Sequence, residues 1–264
     1  MLSGLNAMLK ADLRSIRRDP MLTLMCIAPI LLGTVLGVLL PYADNLLEGH
    51  LNFDLSPHFP FIGALFLLLP PLLAGSVFGL LFIEERDARV PDALSITPLG
   101  RSGFYLFKFL LTLGWAFLFN LLFIAVHLLI AGPLLFPTPA LSRPAMLIVL
   151  LAAALHGALV LPFLALFARD RISGMAQLKL FSSVMVLPLF WYLLPAPRPA
   201  SLYLLYPIPI AASFLQLEVA QMAAALQAGL AVVLEGLLLA LMWSVLKKAT
   251  QLPLQLSLRF HKTD

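Results

Sequence analysis

Long apolar runs separated by short polar breaks dominate the chain. Six runs stand out, at about 21–41, 59–83, 104–131, 145–168, 175–194 and 223–246. Each is about as long as a helix needs to cross a hydrocarbon core of roughly 30 Å at about 1.5 Å per residue. Lipid offers the backbone no hydrogen-bond partners, so such runs predict helices. Residues 1–20 follow another pattern. Leu2, Leu5, Leu9, Leu13 and Ile16 recur at three- and four-residue spacing, with Lys10, Arg14, Arg17 and Arg18 on the other faces. That is an amphipathic helix lying in the headgroup plane, its cations near anionic lipid. It makes a poor secretory signal, because the apolar run after it is too long and lacks a small-residue cleavage site. The expected fold is an all-α membrane protein: an interfacial helix over 1–20, a six-span domain over 21–246 and a tail over 247–264.

The polar breaks differ from one another. The stretch after the first run carries Asp44, Glu48 and Asp54 but neither lysine nor arginine. The loop over 84–103 packs Glu84, Glu85, Arg86, Asp87, Arg89, Asp92 and Arg101 between two apolar runs, so it must lie in water. After the fifth run, PAPRPASLYLLYPIPIAASF is too broken to span and too apolar for a free loop. A re-entrant or interfacial structure anchored by Trp191, Tyr192, Tyr203 and Tyr206 is expected.

Composition agrees with this division. The chain is 61% hydrophobic and 11% charged, against about a quarter charged in soluble domains. The single cysteine, Cys26, excludes an intrachain disulfide. The net charge of +4 does not point to nucleic acid, because the cations flank the spans on one side. With both termini in the cytoplasm, all 17 lysines and arginines except Arg143 and Arg198 fall on the inner side. The positive-inside rule then makes 84–103 cytoplasmic and the chain a multi-pass membrane protein with both termini inside.

Catalysis by the chain itself is not expected. It has no Gly-x-x-x-x-Gly-Lys-Ser/Thr and no Gly-Lys pair, so it carries no ATP-binding phosphate loop. In Gly75-Ser76-Val77-Phe78-Gly79 the serine stands one place too early for a nucleophile elbow. His127 and His156 lack an H-E-x-x-H context, and no metal site is expected. Gly33/Gly37 and Gly75/Gly79 are small-x-x-x-small pairs that allow close helix contact, either within the bundle or at a dimer seam. Pro29, Pro70, Pro71, Pro162 and Pro188 each interrupt a span, and broken helices face other helices or a wet cavity. The Pro70-Pro71 break makes the second span the one expected to bend. Glu235 is an acid deep in the sixth run, where a charge is costly. It either meets a cationic substrate or pairs with a polar group such as His156 or Gln227 to fix packing. Asn120 and His156 are further mid-span polar groups, each either a satisfied interhelical hydrogen bond or, with Pro70, Pro71 and Glu235, part of a substrate path.

Two stretches carry a family likeness. One is Asp12-Leu13-Arg14 followed by Arg18-Asp19-Pro20 and a span with Pro29. The other is Glu84-Glu85-Arg86-Asp87-Ala88-Arg89-Val90-Pro91-Asp92-Ala93-Leu94-Ser95-Ile96-Thr97-Pro98-Leu99, followed by Tyr105 and Lys108. The chain resembles the permeases of type 2 ABC exporters, most of all bacterial permeases of the fluoroquinolone-export type. The resemblance implies a place in a bacterial cytoplasmic membrane, a small amphipathic or drug-like cargo, a second permease copy in a homo- or heterodimer, and an ABC ATPase partner carrying ATP and magnesium. Coupling to that ATPase would run through Glu84, Glu85, Asp87, Arg89, Pro91, Asp92, Leu94, Thr97 and Pro98. Export of a lipid, glycan or haem precursor by the same machinery is an alternative, as is an ion-coupled secondary transporter with Glu235 as its proton site. Many family members have glycine in place of Arg89 and an apolar residue in place of Pro91. Proline suits a first helical turn and Asp92 suits its dipole. Val90 and Leu94 share a face, and Pro98 stops the helix.

Overall fold

The computed structural model describes residues 2–97 and 99–251, and in 2–5, 138–139 and 247–251 only the backbone. Pro98, expected to stop the coupling helix, lies outside the described residues, as do Arg259 and Lys262 of the tail. The described chain is all-helical, with six helical stretches long and apolar enough to cross a membrane.

Helix α1 (Leu2–Arg18) precedes the first spanning helix, α2 (Pro20–Leu51). Asp19 divides them: its carboxylate accepts from Met21 N at 2.8 Å and Leu22 N at 3.2 Å, and Pro20 occupies the first turn. An acid cap before proline is a strong helix start. Helix α2 runs past Pro41 and ends where Asn52 adopts a left-handed conformation and returns its N–H to Glu48 and Leu47. Asp44 then accepts from Leu55 N at 3.0 Å, turning the chain back. The Asp44–Glu48 stretch is therefore helix, not loop.

The second span is α3 (Phe59–Phe66) and α4 (Leu69–Asp87), with Pro70 and Pro71 in the first turn of α4. In a first turn the N–H that proline lacks has no partner within its own helix. A short α5 (Val90–Leu94) leads to α6 (Gly100–Ala131), α7 (Thr138–Leu141), α8 (Pro144–Ala158) and α9 (Val160–Phe167). Helix α10 (Arg171–Ser183) opens on a reciprocal box, with Ser173 N donating to Asp170 Oδ1 at 2.8 Å and Asp170 N donating to Ser173 Oγ at 3.0 Å. The box starts the fifth span at Arg171, ahead of the apolar run. Helix α11 (Leu187–Leu193) completes that span; α12 (Ile208–Leu215) and α13 (Gln221–Gln251) follow.

Layering follows from burial. In the most apolar stretch of α3–α4, 83% of residues are buried, against 11% in α13. Helices α4, α8 and α9 thus form the centre, and α2, α6, α10–α11 and α13 surround it. Contact in the centre is backbone on backbone. A Cβ on Gly75 would stand 2.0 Å from the Gly157 carbonyl oxygen, and one on Gly157 would stand 2.2 Å from that of Pro71. The other glycine pair packs α2 on α6: a Cβ on Gly33 would stand 2.9 Å from Phe123 O, and one on Gly37 2.9 Å from Ile130 Cγ2. Both glycine pairs are thus covered by this chain's own helices. The stretch after α11 tucks inward, leaving α12 almost wholly buried, and near the end of α11 the Tyr192 ring stacks on Phe61 at 3.9 Å.

Candidate functional site

At one end of the bundle the charged residues form two knots. In the first, Lys108 on α6 is 1% exposed and donates to Asp12 of α1 at 2.6 Å and to Glu85 of α4 at 2.6 Å. In the second, the Arg171 guanidinium at the start of α10 donates to Asp19, at the α1–α2 junction, and to Glu84 of α4. Arg86 adds a third tie, donating to the carbonyls of Arg169 at 2.7 Å and Ala165 at 3.4 Å at the end of α9. A cation on the last carbonyls of a helix completes its unpaired acceptors. Neighbouring acids on α4 thereby hold α1, α2, α6 and α10 together. The Arg171 hydrogen bond, helped by the N–H groups of Leu22 and Met21, holds the Asp19 carboxyl below its usual range; desolvation acts the other way.

From this base the chain runs out into a small projection. Asp87 meets Arg86 at 3.6 Å and Asp92 meets Arg101 at 2.8 Å, both with exposed acids. Arg89 caps α5 with φ of +55°, the left-handed region that favours glycine. Glycine would adopt that conformation without strain. Pro91 is buried in the first turn of α5 and Leu94 half-buried, while Thr97 is exposed and its hydroxyl donates to Leu94 O at 2.7 Å. At the tip Ile96 is 92% exposed. The residues expected to act together therefore divide. Glu84 and Glu85 are held inside the knots, and Asp87, Arg89, Asp92, Leu94 and Thr97 belong to the projection.

The second group expected from sequence lies mid-bundle. His156 Nδ1 and Glu235 Oε1 are 3.0 Å apart, and both side chains are fully buried. Glu235 Oε2 and His156 Nε2 have no hydrogen-bond partner among the described residues. Pro71 touches the same place through Gly157, beside His156. Asn120 is buried on α6, and neither end of its amide bonds to this pair or to any other described group. Ser76 donates to Leu72 O at 2.7 Å, an ordinary helix back-bond rather than an activated nucleophile. Sequence reasoning did not assign Lys108 as the partner of Glu85 or Arg171 as that of Glu84, nor Asp12 and Asp19 as the second acid of each knot. The signal was a lysine inside an apolar run, which requires an acid.

These features define a multi-pass helical membrane protein with a charged, clamped end and a buried acid at its middle. The chain belongs to the family described as fluoroquinolones export permease protein, Rv2686c-like, whose match covers residues 12–246. Two relatives are the fluoroquinolones export permease proteins MT2760 and Rv2686c of Mycobacterium tuberculosis, strains CDC 1551 / Oshkosh and ATCC 25618 / H37Rv. Each is 35% identical over 95 residues, which is 36% of this chain and 38% of the relative. No solved structure matches the chain.

Proposed function

We propose that the chain is the permease subunit of an exporter driven by ATP hydrolysed on a separate ABC ATPase. Its cargo is a small amphipathic, drug-like molecule, and its charged end faces the cytoplasm. The observation that carries this reading is the projection with Ile96 at its tip, set beside the knots of α4. A push on the tip reaches α4 and α6, which flank it, and through Lys108 and Arg171 it reaches α1, α2 and α10. The family match and the names of the mycobacterial relatives support drug export. The one-sided cations support the orientation. A second permease copy would complete the assembly, and the partner ATPase would hold ATP and magnesium.

The test is co-expression with a candidate ABC ATPase from the same genome, followed by affinity purification and a drug-susceptibility panel on a deletion strain. The expected result is co-purification and restored fluoroquinolone tolerance, both lost in Ile96→Glu with membrane abundance unchanged. A chain that never retains an ATPase yet transports with a proton gradient overturns the ATP-driven reading. A deletion that alters lipid or glycan export and no drug's potency overturns the cargo.

A further inference from the structure

Behind the buried Glu235–His156 pair lies an open groove on the apolar flank. It measures about 350 Å³ and is lined by Leu204, Tyr206, Leu234, Leu237, Leu238 and Leu241, the size of a pocket for a small organic molecule. Leu204, Leu237 and Leu241 are more than half exposed, so the groove opens laterally. Its inner wall is Tyr206, whose ring lies 4.9 Å from that of His156. Leu238, also in the lining, stands three residues along α13 from Glu235, on an adjoining face. The inward tuck of the chain before α12 sets Tyr206 there, between an apolar groove and a carboxyl with one oxygen unpartnered.

A buried polar atom without a partner is retained where something else supplies one. A protonated amine would do so, donating to Glu235 Oε2 while bringing the opposite charge. Tyr206 offers a ring face to the same cation, and the leucines receive an apolar body. We propose that this groove, with Tyr206 as its inner wall and the buried Glu235 behind that ring, is a binding site for amphipathic amines that enter from the bilayer and reach the carboxyl past Tyr206. The proposal rests on the exporter reading for its purpose but not for its existence, since binding requires no ATPase.

The full chain in lipid nanodiscs, without an ATPase, is titrated with rhodamine 6G, a cationic amphiphile with N–H donors. Diphenylhexatriene serves as an uncharged control, and empty nanodiscs supply the background. The expected result is saturable rhodamine binding, weakened at least tenfold by Glu235→Gln with diphenylhexatriene uptake unchanged. Leu237→Trp, at an exposed position, fills the groove and should abolish saturable rhodamine binding even if Glu235→Gln fails to fold. Saturable binding equal to the parent in either folded variant overturns the site, as does equal loss of both probes in Glu235→Gln, which marks a structural role. No saturable binding in the parent also overturns it. Export that persists in a chain whose binding ignores Glu235 sinks the site and spares the exporter. Binding without any ATPase partner does the reverse.

Discussion

Lys108 Nζ stands 2.6 Å from Asp12 Oδ1 and 2.6 Å from Glu85 Oε1, so one cation on α6 holds an acid from the interfacial helix and another from the central span. Taking a lone acid out of water is costly, and removing the shared partner of two acids strands both. Lys108→Met should lower unfolding free energy by about 3–5 kcal/mol, read as a lower melting temperature in detergent. Adding Asp12→Asn and Glu85→Gln to it should recover most of the loss. An unchanged melting temperature in the single variant would show that the knot contributes nothing.

Asp19 makes stability depend on acid pH in a defined direction. Its carboxyl titrates below the ordinary 3.8 in the folded chain, first because of the Arg171 hydrogen bond. A depressed carboxyl contributes stability that is whole above its unfolded value and is lost as pH falls through the folded one. Melting temperature should therefore hold steady from neutrality to about pH 4 as far as Asp19 is concerned, and fall below it. Asp19→Asn retains the cap and should flatten that acid limb. Asp19→Ala should cost about 1 kcal/mol more by losing the cap as well. An identical acid limb in Asp19→Asn would assign it to other groups.

Two glycine-to-alanine substitutions should part company. Gly157→Ala places a Cβ 2.2 Å from the Pro71 carbonyl oxygen, a clash that only displaced backbone relieves. A loss of about 1–3 kcal/mol or more is expected. A Cβ on Gly114 meets nothing within 4 Å, so Gly114→Ala should fold as well as the parent. Equal yields and melting temperatures for the two would contradict the close approach of α4 and α8.

Arg89 offers a backbone test. A left-handed conformation costs an L-residue about 1–2 kcal/mol, which glycine avoids at the expense of unfolded-chain entropy. Arg89→Gly should leave stability within about 1 kcal/mol, whereas the β-branched Arg89→Val should lower it by more. Thermal unfolding of the pair measures this, and an indifferent valine would argue against the φ of +55°.

The spans, the charged loop and the amphipathic start were legible because they rest on local pattern, on runs of leucine, and on cations placed at run ends. The start of α10 is written in Asp170 and Ser173, a polar cap that lies ahead of the apolar run and outside its pattern. The ion-pair knots were not legible. Asp12 and Lys108 are far apart in sequence, and no period links Glu84 to Arg171. Only the packing of α1 and α10 on α4 decides those partners. The pairing of Glu235 with His156 was one of several open options, and the groove at Tyr206 was hidden because a broken apolar stretch does not announce which way it folds.

The meeting of Gly75 and Gly157 has a mechanical consequence. Helices usually slide past one another by switching side-chain rotamers at their seam, and where Gly75 meets Gly157 neither residue has a side chain to switch. Helices α4 and α8 must then travel as a single beam, with the projection bolted to one end and His156 riding on its flank. On the proposed coupling, a displacement delivered at Ile96 would pass along that beam toward mid-bundle, and the compliance of the bundle would lie in the outer ring of helices around it.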